Sequence, residues 1–318
     1  MMNASVDVII PTYRPNASFR DLLRMLMRQS CPVDHILIIN TDESLWDERL
    51  ISGIGKAEVF HITKKEFDHA ATRNMGVGFS NADYLLFMTQ DAMPADRGLV
   101  SALLGTFGNP AVKAAYARQL PKADSPITEG CVRNFNYPDV SEVRTLRDLP
   151  ELGIKTYFCS NVCAMYERET FIRMGGFSAP AIFNEDMVYA ARIMHLGYGV
   201  AYCAEARVYH AHHYTNAQQL HRNFDNGVSQ AMHPEIFRGV GSSGEGKRLV
   251  SYVTRYLKEV GRAHLIPGFY RECAARLIGF RLGKAYRYLP GPVVRKLSND
   301  PGFFDKYGYA AGKQRKRR

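Results

Sequence analysis

The chain has 318 residues, enough for one large domain with an appendage or for two domains. Of these residues, 46% are hydrophobic and 23% are charged, a composition ordinary for a soluble globular protein. No apolar run approaches the roughly 20 residues that span a bilayer, and the first residues lack the basic and apolar regions of a signal peptide, so we expect a cytoplasmic protein. The net charge of +10 is unevenly distributed, because residues 247–318 contain 18 Lys and Arg against 4 Asp and Glu while the rest of the chain is mildly acidic.

Buried strands and amphipathic helices alternate along the chain. Apolar runs predict strands over residues 6–10, 35–40, 58–62 and 82–88, and helical spacing predicts helices over residues 16–29 and 67–79. Further strands are expected over residues 161–166 and 199–203, and helices over residues 168–174 and 184–196. The alternation predicts an α/β fold with a mostly parallel, Rossmann-like central sheet flanked by helices. Residues 120–157, which include four prolines, are predicted to form a long irregular loop that is functional or mobile.

Polar residues follow the predicted strands at their carboxyl ends. Thr12 and Tyr13 follow the first strand, Asp42 the second and Asp91 the fourth. In a doubly wound sheet these ends share one edge, where ligands bind. An acid there suits a divalent cation that bridges substrate phosphates, although Asp91 alone would also fit a helix-capping role. No Gly-x-Gly-x-x-Gly motif follows the first strand and no Gly-Lys-Ser/Thr occurs, which is evidence against a dinucleotide fold and a P-loop enzyme.

Two later segments carry further candidate residues. Glu185 and Asp186 open a predicted helix with Asn184 as its N-cap, although acids are common in a first helical turn for dipole reasons alone. His210 and His212 point the same way if their segment is extended, which suits a metal or a phosphate. Packed structural histidines are the alternative interpretation.

The order of these segments resembles that of an inverting family 2 glycosyltransferase of the GT-A fold, and specifically its rhamnosyltransferase branch. The resemblance spans roughly residues 5–290. It rests on the Pro-Thr-Tyr loop, the Asp after the second strand, Thr-Arg-Asn-Met-Gly (72–76), the Glu-Asp helix start, and three stretches typical of the branch: Glu-Phe-Asp-His (66–69), Met-Thr-Gln-Asp-Ala (88–92) and Phe-Asp-Asn-Gly-Val (224–228).

The resemblance implies a function and a set of site residues. It implies transfer of a sugar, L-rhamnose from dTDP-L-rhamnose, onto a saccharide or polyprenyl-diphosphate-linked saccharide acceptor in cell-surface polysaccharide (O-antigen) synthesis. Asp186 and Glu185 would be the catalytic residues, with Asp186 as the general base. The nucleotide sugar would be bound by Pro11, Thr12, Tyr13, Asp42, His69, Arg73, Asn74 and Gln90. A divalent metal, Mg²⁺ or Mn²⁺, would be held by Asp91, His212 and His210.

One departure from the family pattern concerns the metal. The usual turn is Asp-x-Asp, and its first member is Thr89 in this chain. Losing one acid should weaken metal binding, but Mg²⁺ often relies on one or two protein carboxylates together with phosphate oxygens. We therefore still expect a metal.

The chain is predicted to divide into a GT-A domain over residues 1–245 and a basic, largely helical region over residues 246–318 with a disordered tail. The apolar stripe of the basic region would either pack on the catalytic domain or lie on an anionic membrane surface, which would make the protein peripheral on the inner face of the cell membrane.

Three other functions remain open at this point. The donor could be another UDP-, GDP- or dTDP-sugar. A nucleotidyltransferase would need a Gly-rich basic loop after the first strand, and residues 11–16 do not form one. The pI of about 9.3 prompts a nucleic-acid-binding protein. No RNA-recognition pattern accompanies it, so no nucleic-acid partner is expected.

Overall fold

The computed structural model describes residues 4–241 and 243–308, so the tail predicted to be disordered (residues 313–318) lies outside the described residues. The described residues form one mixed sheet flanked by helices. Its strands are β1 (Val6–Tyr13), β2 (His35–Thr41), β3 (Ala57–Ile62), β4 (Tyr84–Met88), β5 (Met93–Pro94), β6 (Val112–Leu120), β7 (Glu142–Arg144), β8 (Cys163–Glu167) and β9 (Gly199–Tyr209).

The helices that accompany this sheet lie between the strands and after the last one. They are α1 (Ala17–Leu26), α2 (His69–Gly78), α3 (Leu99–Thr106), α4 (Ile127–Asn136), α5 (Leu149–Leu152), α6 (Arg168–Arg173), α7 (Glu185–His195), α8 (Asn216–Met232), α9 (Pro234–Phe237), α10 (Ser243–Glu259), α11 (Ile266–Lys284), α12 (Gly291–Leu297) and α13 (Pro301–Tyr307). Asn16 caps α1, because its side chain accepts a hydrogen bond from the Ser18 N–H.

The first half of the sheet is parallel, in the order β3-β2-β1-β4. Three of its strands, β1, β2 and β4, are buried on both faces. In β1, Val8 and Ile10 pack into the core on one side of the sheet, and Ile9 packs into the core on the other side. A continuous apolar run is the pattern expected of such a strand, which explains why these strands could be read from the sequence.

The second half corrects the expectation of a mostly parallel sheet. β8 lies antiparallel between β4 and β6, and β9 is parallel to β6 but antiparallel to β5 and β7. The apolar composition of a buried strand does not encode its direction, so this reversal was not visible in the sequence.

Residues 120–157 are also more regular than predicted, since they contain α4, β7 and α5. Their prolines mostly mark helix boundaries: Pro126 directly precedes α4, and Pro150 lies in the first turn of α5. Proline is tolerated at these positions because the first helical N–H groups have no intrahelical partner. The prediction of a long irregular loop was therefore wrong.

The C-terminal helices pack on the rest of the molecule. On α10, Val253 and Leu257 are fully buried in a cluster that includes Cys131 of α4. Helices α8 and α11 cross closely, because a Cβ atom at Gly227 or Gly279 would collide with the backbone of the opposite helix. The packing alternative therefore accounts for the inner part of the apolar stripe. None of the helices in residues 4–241 and 243–308 is long and apolar enough to cross a membrane.

Candidate active site

A cavity of about 760 Å³ lies beside the carboxyl end of β4. It collects eight of the predicted site residues, which come from four separate segments of the chain. They are His69, Arg73, Gln90, Asp91, Glu185, Asp186, His210 and His212. The five other predicted residues do not line this cavity: Pro11, Thr12, Tyr13, Asp42 and Asn74.

A carboxylate and two imidazoles converge on one side of the cavity. The Nε2 atoms of His210 and His212 lie 3.6 Å and 3.1 Å from Oδ2 of Asp91. One ligand atom from each of the three residues lies within 4.8 Å of the others, which is a spacing that a metal ion could fill. β9 ends at Tyr209, and the two histidines lie in the segment that follows it, with their ring centroids 4.5 Å apart.

The side chains around His210 fix its orientation. Its Nδ1 lies 3.1 Å from Oε1 of Gln119, whose Nε2 donates to the Ser160 hydroxyl at 3.0 Å. Because Oε1 can only accept, Nδ1 of His210 carries the proton and Nε2 presents its lone pair towards Asp91. This is the tautomer and the outer contact typical of metal-ligating histidines.

The protonation states of the cluster suit a cation. Burial raises the pKa of Asp91, but His212 and His210 together lower it by more. The pKa of this carboxyl group therefore lies well below its usual range, and the group stays ionised. Burial lowers the pKa of His210 to about 3, despite the opposing attraction of Asp91, and keeps the imidazole neutral. An ionised carboxylate and a neutral imidazole are the forms that bind metals. The donor set therefore fits a divalent cation, with imidazoles supplying ligands where the usual turn has a second acid.

The two acids at the start of α7 have different surroundings. Glu185 is 6% exposed, and its Oε1 lies 3.2 Å from Nη1 of Arg73 and accepts from Nδ2 of Asn161 at 3.0 Å. Burial raises the pKa of Glu185, but Arg73, His69 and Asn161 together bring it below its ordinary value. These contacts favour a positioning role for Glu185 over the predicted catalytic one.

Asp186 is held by backbone groups instead. Its Oδ2 accepts from the Asn161 N–H at 2.9 Å, and its Oδ1 accepts from the Met187 N–H at 2.8 Å. Burial and the neighbouring Glu185 charge raise the pKa of Asp186 well above its ordinary value, against these hydrogen bonds. A carboxylate with a raised pKa in a cavity is suited to accept a proton.

Asn184 occupies the predicted boundary position but does not cap the helix. Its backbone is left-handed (φ +59°), and its side chain makes no capping hydrogen bond to α7. Nδ2 of Asn184 instead donates to Oδ1 of Asn226 on α8 at 2.8 Å. The predicted capping role was wrong, because the Asn184 side chain links the start of α7 to α8 and does not bond to the first turn of α7.

Tyr13 and Asp42 lie together at the edge of the parallel half of the sheet. The Tyr13 ring is 41% exposed, and Nζ of Lys64 lies 5.2 Å from its centroid and 3.5 Å from Oδ2 of Asp42. Asp42 has a positive φ of +73°, a conformation that is uncommon outside glycine and is found at functional sites. Gln90 joins this edge to the cavity, since its amide pairs with both the N–H and the C=O of Tyr13.

Two predicted binding residues make contacts of a structural kind. The Thr12 side chain is buried and its hydroxyl donates to Oδ1 of Asn40 at 3.1 Å. Both polar atoms of the Asn74 amide pair with the backbone of Phe177, at 2.9 Å and 3.0 Å. These contacts indicate that Thr12 supports the neighbouring strand β2 and that Asn74 supports the loop at Phe177, whereas Arg73 and His69 reach the cavity.

The sequence interpretation missed three arginines that line the cavity: Arg133, Arg222 and Arg276. Arg222 of α8 lines it, and its guanidinium lies 4.7 Å from the Phe183 ring centroid and 5.4 Å from that of Tyr214. It forms no salt bridge within the residues that the structure describes. The Phe-Asp-Asn-Gly-Val stretch begins two residues after Arg222 and could have drawn attention to this helix.

Comparisons with known proteins agree with this geometry. Residues 7–175 match the family described as "Glycosyl transferase family 2". The chain is 35% identical to the O-antigen chain rhamnosyltransferase RfbN of Salmonella typhimurium, over 97% of this chain and 99% of that protein. It is 34% identical to the O-antigen chain rhamnosyltransferase WbaN of Salmonella anatum, over 98% and 99%.

Solved structures identify the fold. The mannosyltransferase PcManGT from Pyrobaculum calidifontis, in complex with GDP-Man and Mn²⁺, matches with a TM-score of 0.54 and 14% identity, covering 99% of this chain and 88% of that one. TarS of S. aureus in complex with UDP-GlcNAc matches with a TM-score of 0.52 and 13% identity, covering 97% and 88%. The predicted α/β GT-A fold is confirmed, and the chain belongs to glycosyltransferase family 2.

Proposed function

We propose that this protein is an inverting rhamnosyltransferase that moves L-rhamnose from dTDP-L-rhamnose onto a saccharide acceptor, carried on a polyprenyl diphosphate, in the synthesis of a cell-surface polysaccharide. The names of RfbN and WbaN support the sugar and the pathway. The observation that carries the mechanism is that Asp186 shares one cavity with the Asp91–His210–His212 cluster.

Asp186 acts as the general base. The acceptor hydroxyl loses its proton to the Asp186 carboxylate as its oxygen attacks the anomeric carbon of the donor. The bond between that carbon and the diphosphate oxygen breaks, and the bonding electrons leave with the diphosphate. Because attack comes from the opposite face, a β-linked donor gives an α-linked product.

The negative charge that develops on the diphosphate needs stabilisation where it forms. Arg222 supplies a positive charge that no described carboxylate neutralises, and it stands near enough to His210 to lower the pKa of that imidazole. Asp91, His210 and His212 would hold a divalent cation, which supplies further charge neutralisation when bound. Two nitrogen ligands favour Mn²⁺ over Mg²⁺, which prefers oxygen ligands.

The nucleoside would lie at the edge formed by Tyr13 and Asp42. The exposed Tyr13 ring offers a face for the base. The Asp42 carboxylate can accept a hydrogen bond from the N3–H of thymine. Lys64 lies beside both groups and orients the carboxylate.

We also propose that the protein binds an anionic membrane surface, where it meets the lipid-linked acceptor. The exposed side of α11 carries Tyr270, Leu277 and Ile278, which are 46%, 50% and 51% exposed, and also the exposed Arg271 and Arg281. An apolar stripe flanked by basic residues suits an interfacial helix. The protein should pellet with vesicles containing phosphatidylglycerol at low salt and lose this binding when Leu277 and Ile278 are both changed to Glu. A wild-type protein that stays in the supernatant would remove this part of the proposal.

The function is tested by supplying dTDP-, UDP- and GDP-sugars with Mn²⁺. Membranes from source cells that lack this gene serve as acceptor, because such cells accumulate the enzyme's own substrate. We expect nucleotide release and sugar transfer with dTDP-L-rhamnose alone, and loss of both in Asp91→Ala. Selective use of a different donor would keep the mechanism and refute the rhamnose assignment. Release from no donor would refute both.

A further inference from the structure

Helix α8 presents a row of polar side chains to the cavity. Gln219, Arg222, Asn223 and Asn226 all line it, at positions that place them on one face of the helix. Most of these groups are neutral amides, which both donate and accept hydrogen bonds. Arg222 faces the diphosphate side in the proposed mechanism, which leaves the three amides without an assigned task.

Contacts at the two ends of this row show where it runs. At one end, Oδ1 of Asn226 accepts from Asn184, the residue immediately before Glu185 and Asp186. At the other end, Nε2 of Gln219 donates to Oε1 of Glu272 on α11 at 3.1 Å. The row therefore extends from the proposed base to the C-terminal helices.

Helix α11 completes the wall with a charge pair. Glu272 and Arg276 both line the cavity, and Nη2 of Arg276 donates to Oε1 of Glu272. Because the pair is neutral overall, it does not favour a phosphate group. Planar amide, carboxylate and guanidinium groups can instead pair with hydroxyls, each of which donates one hydrogen bond and accepts others.

The wall is built on rigid elements. Gly279 and Gly283 of α11 lie against the backbone at Leu220 and Phe224 of α8, so closely that a Cβ atom at either glycine would collide with it. Such a crossing holds the polar side chains of the two helices in a fixed relation, as a binding site requires. These helices lie beyond residues 7–175, the part that matches the family model.

We infer that Gln219, Asn223, Glu272 and Arg276 form the subsite that binds the terminal sugar of the acceptor and presents its hydroxyl to Asp186. The inference rests on the proposed glycosyl transfer and deepens it, since it assigns acceptor selection to the C-terminal helices. The region predicted as a separate basic segment then forms one wall of the active site.

The test separates acceptor binding from donor chemistry. Glu272→Ala is compared with the wild type using membranes from the gene-deleted source cells as acceptor and the donor that the wild-type protein turns over. The matched control is Glu169→Ala, since Glu169 also pairs with an Arg four residues later but lies on α6, outside the cavity and 85% exposed. Gln219→Ala is the second variant, in case Glu272→Ala does not fold.

We expect the acceptor concentration at half-maximal rate to rise about tenfold in both variants, as for the loss of one or two hydrogen bonds to a ligand. The KM for the donor and its slow hydrolysis without acceptor should not change, and Glu169→Ala should match the wild type. The inference would be overturned if the acceptor concentration at half-maximal rate stayed the same in the variants. It would also be overturned if the variants lost donor hydrolysis to the same extent as sugar transfer. A wild-type protein that turns over no nucleotide sugar would overturn the proposed function and the inference with it.

Discussion

The buried salt bridge between Arg73 and Glu185, with 3.2 Å between Nη1 and Oε1, separates the roles of two adjacent acids. Glu185 is neutralised by this guanidinium, whereas Asp186 is held only by hydrogen bonds from Asn161 and Met187. Two neighbouring carboxylates with different environments can keep different protonation states. The structure thus supports one acid that stays charged and positions its surroundings, and one that accepts a proton.

The first prediction concerns the pH dependence of the reaction. Burial and the Glu185 charge raise the pKa of Asp186, and only the ionised form can act as a base. The value of kcat/KM should therefore rise with pH, with an apparent pKa well above the value of about 3.9 for an unperturbed aspartate. Initial rates from pH 4.5 to 8.5, with the nucleotide donor saturating, measure this. A rate that is already constant at pH 5 would contradict it.

The second prediction concerns metal binding by the histidine cluster. His210→Ala should reduce Mn²⁺ affinity by at least an order of magnitude, because it removes a ligand whose orientation Gln119 fixes. Isothermal titration of the metal-free protein with MnCl₂ measures this without any substrate. His233→Ala is the control, since His233 pairs with Glu235 outside the cluster. Equal affinity in the His210 variant and the wild type would show that the cluster does not hold the metal.

The third prediction concerns Arg222. Arg222→Ala should lower kcat by about 10²-fold, the size of effect seen when a charge that stabilises a leaving group is removed. Arg222→Lys should recover part of the rate, because a positive charge remains. The inhibition constant of dTDP should also rise in the alanine variant. An alanine variant with wild-type kcat would exclude a role in stabilising the diphosphate.

The fourth prediction concerns stability and a buried acid outside the cavity. Burial raises the pKa of Asp225 to about 7, although Ser298 and Asn299 donate to its carboxylate at 2.7 Å and 2.8 Å. The folded state then holds this proton more tightly than the unfolded chain, so the free energy of unfolding should fall as the pH rises from about 4 to about 7.

Asp225→Asn removes this titration and should make the free energy of unfolding less sensitive to pH. Urea unfolding at pH 5 and pH 7.5 measures the difference for both proteins. The exposed Asp139→Asn variant should keep the wild-type pH dependence. If the Asp225 variant loses as much stability as the wild type over this range, the buried carboxyl is not the source.

Much of the fold and part of the site could be read from the sequence. The strands β1, β2 and β4 of the parallel half contain continuous apolar runs, and Asp91 follows the end of β4. Short-range patterns of this kind also placed Asp186 at the start of α7. They could not give the antiparallel insertion of β8, because strand direction depends on connections of some forty residues, from the end of β6 to the start of β8.

The remaining parts of the site come from long-range packing. Asn74 looked like a ligand-binding residue in its motif, yet its amide holds the Phe177 backbone about a hundred residues away in the chain. Arg222, Glu272 and Arg276 lie on helices whose polar residues look like ordinary solvated positions in the sequence. Only the close crossing of α8 and α11 shows that these residues face the cavity.

The most direct test of the account is the Asp186→Asn variant, assayed for rhamnose transfer from dTDP-L-rhamnose to the acceptor membranes and for dTDP binding. The account predicts a loss of transfer of about 10²–10⁴-fold, the contribution of a general base, with dTDP affinity unchanged. Asp139→Asn should behave as the wild type. Transfer by Asp186→Asn within about threefold of the wild type, far less than the loss of a base would cause, would contradict the central claim.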